Sequence, residues 1–170
     1  RDLINLLISS TIFSIIFSLI IIGIIASIFF RKILWGILAV IPLTSAVVIN
    51  FGFMGYFGIE LSHVTAILSS IIIGVGVDFS IHYIAQFRRL SKTIGEDKLS
   101  REVVDDVGYP IILDAASNMG FGALLFSAFV PIQYIGGLMV FAMISTSLGT
   151  LTVLSALVEL LKKKLIERKT

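Results

Sequence analysis

The sequence has no cysteine, which excludes a disulfide framework and a thiolate metal site. It has only two histidines, His63 and His82, too far apart to form a zinc pair by spacing. Charge is scarce: 14% of the residues are Asp, Glu, Lys or Arg, against about 25% in soluble domains. A net charge of +2 is too small to hold a polyanion, so no nucleic-acid partner is expected. What remains is apolar. Hydrophobic residues make up 57% of the 170, and the mean hydropathy is +1.06. A hydrocarbon layer about 30 Å thick needs about 20 apolar residues per helix, and runs of that length recur along the chain. The sequence therefore reads as an all-α, polytopic membrane helical bundle.

One transmembrane domain, residues 1–170, is expected, with spans at about 3–30, 33–58, 64–87, 110–130 and 132–161. Arg31 and Lys32 break the first span, Arg88 and Arg89 stop the third, and Lys162, Lys163 and Lys164 follow the fifth. Pro42 predicts a kink in the second span, and Pro110 suits the first turn of the fourth. The glycines at 52, 55 and 58 predict a soft or closely packed end to the second span. Between the third and fourth spans, Leu99, Val103 and Val107 recur every four residues among Lys98, Arg101, Glu102, Asp105 and Asp106. This connector, about 93–109, predicts a short amphipathic helix on the cytoplasmic interface, opened by a Thr93–Glu96 capping box. Twelve of the 13 basic residues fall after spans one, three and five. The positive-inside rule makes those segments cytoplasmic, with an extracytoplasmic amino terminus and a cytoplasmic carboxyl terminus. Arg1 opens the chain without an initiator methionine or a signal segment, so a piece of a larger protein is expected.

The third span carries the sharpest chemical signal. Ala66, Ser70, Gly74, Asp78 and His82 follow at intervals of four and share one helix face. The small residues predict close approach of a neighbouring helix. Asp78 lies about 15 Å from Arg88 along the axis, near the membrane midplane. A carboxylate there costs at least about 2.5–3.5 kcal/mol, so it is expected to face a bundle interior, a partner or a water path. On the fourth span, Asp114 and Asn118 are also four apart, with Gly122 continuing their face. The opposite running directions set Asn118 level with Asp78 and Asp114 near the level of His82. If the faces meet, the four polar groups form a ladder from midplane to cytoplasm, as a proton relay requires. The plainer readings keep Asn118, Ser70 and Asn50 as interhelical hydrogen-bonding residues, His82 as an interfacial residue, and Asp114 as a side chain reaching the headgroups.

The segment Gly74-Val-Gly76-Val-Asp78-Phe-Ser-Ile-His82, followed by Arg88 and Arg89, resembles the GxGxDY…H motif of the resistance–nodulation–division (RND) superfamily. It is most similar there to the MMPL-like exporters related to the sterol-sensing domain. Val107 to Pro110, Gly120 to Ser127, Phe129 to Pro131 and Gly136-Gly137 extend the resemblance over nearly the whole chain. The resemblance implies one five-helix block of a two-half transporter whose intramembrane acid maps onto Asp78. Phe79 stands where the family usually has tyrosine.

The expected function is export of lipids or other hydrophobic molecules driven by the proton motive force. The expected site is a relay of Asp78, His82, Asn118 and Asp114, packed by Ala66, Ser70, Gly74, Gly76 and Gly122. No enzyme activity, cofactor or metal is expected, the energy coming from the proton gradient in the cytoplasmic membrane. Expected partners are membrane lipids, the hydrophobic substrate, a second transmembrane half and an extracytoplasmic domain, with self-association left open. Two other readings carry weight: a sterol- or lipid-sensing module that does not pump, and a protein-export accessory subunit of the same superfamily.

Overall fold

The computed structural model describes residues 2–166 of the chain, and only the backbone at residues 2, 3, 63, 64, 96, 97, 163, 164 and 166. Expectations placed on Arg1 and on the side chains of His63 and Glu96 lie outside the described residues. The chain runs as α1 (Asp2–Phe30), α2 (Ile33–Tyr56), α3 (His63–Leu90), α4 (Glu96–Asn118), a 3₁₀ stretch (Met119–Phe126), α5 (Val130–Gly149), a π-helical turn (Thr150–Leu154) and α6 (Ser155–Ile166). No strand occurs among the described residues. Among the described residues five helical runs are long and apolar enough to cross a membrane, the last joining α5, the π turn and most of α6. The all-α bundle expected from the apolar runs is the fold observed.

Each boundary has a local cause. After α1, Arg31 takes a left-handed conformation (φ 56°) and Lys32 N–H donates back to the Ser27 carbonyl at 3.1 Å, the Schellman closure of a helix. Gly58, at φ 65°, turns the chain beyond α2. At the start of α3, Ser62 accepts from Thr65 N–H and Thr65 Oγ1 accepts from Ser62 N–H, a reciprocal cap. The box expected at Thr93 does not form its half of the pattern. Thr93 Oγ1 donates to the Leu90 carbonyl at 3.2 Å, and Gly95 caps α4 without a side chain.

Two further expectations change. Pro110 does not open a helix but lies inside α4, which joins the amphipathic connector to the first part of the fourth span without a break. Its lost hydrogen bond is a local cost that α4 sustains. The connector's apolar edge, Leu99, Val103 and Val107, is buried in the protein core rather than spread on lipid. The close-packing option for the second span's glycines also fails. A Cβ at Gly52 or Gly55 would meet nothing within 4 Å.

α3 is the centre of the block, in contact with α1, α2, α4 and α5. Leu68, Ile72, Phe79, Tyr83 and Phe87 line its buried face against Leu38, Leu138, Met139 and Met143. Asn50 Nδ2 donates to the Leu138 carbonyl at 3.2 Å, tying α2 to α5 in the buried interior. Phe53 stacks on Phe141 at 4.1 Å across the same pair. The basic segments gather at one end. Arg88 sits 5.4 Å over the Phe30 ring, Arg89 pairs with Asp106 at 3.2 Å, and Lys32 Nζ donates to the Leu165 carbonyl at 3.2 Å. Those contacts set the carboxyl ends of α1, α3 and α6 side by side, so α3 and the last span run in the same direction.

Candidate functional site

The helical period gives α3 two unlike faces. One is the packed core face. The other carries Ser70, Gly74, Asp78 and His82, all exposed on the outside of the block, with Ala66 partly covered. Close helix packing along this face is not what the structure shows: a Cβ at Gly74 would meet nothing within 4 Å. Gly76, two residues on, faces the opposite way. A Cβ there would come within 2.7 Å of both Leu43 Cδ2 and Thr146 Cγ2. Gly76 therefore packs the core and not the polar face. Gly122 likewise serves α5, where a Cβ would meet Val140 Cγ2 at 3.2 Å.

Below Asp78, towards the basic end, α3 and α4 enclose a cleft of about 310 Å³. His82 and Asp114 both line it, as their predicted common level requires, together with Gln86, Arg89, Asp106 and Pro110. At its mouth the Asp106 carboxylate accepts from Gln86 Nε2 and from Arg89 Nη2, the latter at 3.2 Å. Asn118 Nδ2 donates to the Asp114 carbonyl at 3.0 Å and to Asp114 Oδ1 at 3.3 Å. Asn118 is thus coupled to Asp114 within α4 and makes no bond to Asp78. Among the described residues neither Asp78 nor His82 has a side-chain hydrogen bond, and Asp78 does not line the cleft. The structure brings His82, Asp114 and Asn118 together. It leaves Asp78 one turn away, on the same face as His82 and open to the outside.

Gln86 and Asp106 were not among the expected site residues, yet both could be found from spacing. Gln86 is the next step of four after His82, and Asp106 lies two such steps before Asp114. Their place in the cleft follows from α4 being one helix from Glu96 to Asn118, which the sequence divided at Pro110.

The block thus combines an apolar helical bundle, an acid on the outer face of α3 and, beside it, a polar cleft that reaches the basic end. The comparisons name the kind. The model of the family described as the sterol-sensing domain of SREBP cleavage-activation matches residues 28–165, and the chain belongs to this sterol-sensing domain family, within membrane modules of the sterol-sensing and RND kind. The chain is also similar to a protein of Methanocaldococcus jannaschii described as a membrane protein, 29% identical over 132 residues, covering 76% of this chain and 34% of the relative. It thus spans about a third of that relative's length. No solved structure matches.

Proposed function

We propose that the chain is the transmembrane block of an MMPL-like exporter of lipids or other hydrophobic molecules, driven by the proton motive force, with Asp78 as the proton carrier. One observation carries this reading: Asp78, an acid near the middle of α3, lies on an open face, one turn from a polar cleft that reaches the basic end. On lipid, that carboxylate would cost at least about 2.5–3.5 kcal/mol. A second transmembrane half covering the Asp78 face removes that cost and encloses the acid. The basic end faces the cytoplasm of the inner membrane by the positive-inside rule, so the amino terminus is extracytoplasmic. A proton taken up by Asp78 from the outer side passes to His82 and leaves through the Asp114–Asn118 pair and the Asp106 mouth. The block is a transport component and not an enzyme, and it needs no cofactor beyond the gradient. Export by the full-length protein tests this: Asp78→Asn abolishes it at normal expression, and unchanged export sinks the proposal.

A specific feature supports a second reading, a sterol- or lipid-sensing module that does not pump. α1 and α2 flank a groove of about 690 Å³ lined by Ile16, Ile20, Gly23, Ile24, Gly36 and Val40 among other apolar residues. Lipid binding that persists after the proton gradient is collapsed, without net transport, selects this reading over export.

A further inference from the structure

The core face of α3 carries a second polar feature, unrelated to Asp78. A hydroxyl in an apolar helix usually satisfies itself by donating to a carbonyl of the preceding turn. The buried hydroxyls of Thr11, Ser69, Thr146 and Ser147 all donate to carbonyls three or four residues back. Ser80, Tyr83 and Thr150 do not. All three side chains are wholly buried (0% exposed); none of their hydroxyl oxygens makes a hydrogen bond of normal length and angle, and only that of Tyr83 has a side-chain hydroxyl, Ser155 of α6, near enough to interact with it.

The three belong to one seam. Gly76 lies against Thr146, as the 2.7 Å approach of a Cβ there shows. Ser80 and Thr150 are each four residues further along helices that run in the same direction, so they occupy the next turn of the same interface. Tyr83 follows, and its polar neighbours are Ser155 and Glu159 of α6. Glu159 is held by Ser100 and Lys162 and is 45% exposed, so the seam leads out at that point. The backbone is widened along this length, because the π turn Thr150–Leu154 replaces α-helix there. Such turns recur at functional sites.

We propose that Ser80, Thr150 and Tyr83 bind a short chain of ordered water between α3 and the last span, an internal hydrated path opening at Glu159. The ligand is water and not a cation because the buried groups are all neutral hydroxyls, each able to donate and to accept. Buried water makes about three hydrogen bonds to groups of this kind. The proposal does not depend on the transport reading, since Asp78 lies on the other face of α3.

Radiolytic hydroxyl-radical labelling of the full-length protein in lipid nanodiscs tests it, because bound water is the source of the radical. Phe87, on the same helix, and Phe30, on α1, 1% and 2% exposed, are the dry controls. Tyr83 is expected to be oxidised severalfold faster than both. Ser80→Ala combined with Thr150→Val brings its rate down to theirs, and Thr150→Ser leaves it high. Tyr83 labelled no faster than Phe30 and Phe87 in the unaltered protein overturns the proposal, whether or not the double variant folds. A rise in melting temperature for Ser80→Ala or Thr150→Val overturns it too, because removing an unpartnered hydroxyl relieves a dry seam and removing a water-bound one does not.

Discussion

Gly74 and Gly76 stand two residues apart in one motif, and the structure makes opposite demands of them. An alanine methyl at 76 would sit 2.7 Å from Leu43 Cδ2 on α2 and 2.7 Å from Thr146 Cγ2 on α5. Ordinary carbon contacts are about 3.5–4.0 Å, so both are short by about 1 Å, and relief on one side worsens the other. Leu43 is 1% exposed, in the packed core. Thr146 is pinned by its 2.6 Å bond to the Ala142 carbonyl. Overpacking of this kind costs about 1–3 kcal/mol, and a site clamped from two sides belongs in the upper part of that range. At Gly74 the methyl meets nothing. Each substitution also gains about 1 kcal/mol of helix propensity, which cancels when the two variants are compared. Gly76→Ala is therefore expected to be about 2–3 kcal/mol less stable than Gly74→Ala. Reversible unfolding of this chain in mixed micelles, followed by circular dichroism, measures the difference directly. Equal stabilities, or Gly74→Ala the weaker of the two, would refute the assignment of the two faces of α3.

Two other expectations are simpler. Asn50→Ala removes the bond to the Leu138 carbonyl, and interhelical bonds in membranes average about 0.6 kcal/mol with a maximum of about 1.7. The same unfolding assay should show a loss in that range, and no loss would mean that the Asn50 contact does not hold α2 to α5. Arg31→Gly removes the steric cost of a left-handed non-glycine residue, about 1–2 kcal/mol, so the variant should be more stable once inserted. A destabilised Arg31→Gly would place the value of Arg31 in its charge instead of its backbone.

Much of the fold was legible because membrane helices are written as long apolar runs, and Arg31-Lys32 and Arg88-Arg89 punctuate them without ambiguity. The polar face of α3 was legible for the same reason, since a step of four holds along any straight helix. What pattern could not give was what each face touches. Gly74 and Gly76 look alike as small residues, and only the neighbours decide that one is clamped and the other open. The continuity of α4 was hidden by Pro110, because proline suits the first turn of a helix and is costly inside one. The unpartnered hydroxyls of Ser80, Tyr83 and Thr150 were invisible as well. Ser80 and Thr150 differ from the other buried hydroxyls of the spans by not bonding to their own helix.

The reading stands or falls on Asp78 as a proton carrier. The decisive measurement is substrate-dependent proton flux by the full-length protein in liposomes with an internal pH-sensitive dye, comparing Asp78→Asn with the unaltered protein and with Asp114→Asn. The account predicts flux abolished in Asp78→Asn and slowed but present in Asp114→Asn, a residue that lines the same cleft as His82. Undiminished flux in correctly inserted Asp78→Asn would contradict it.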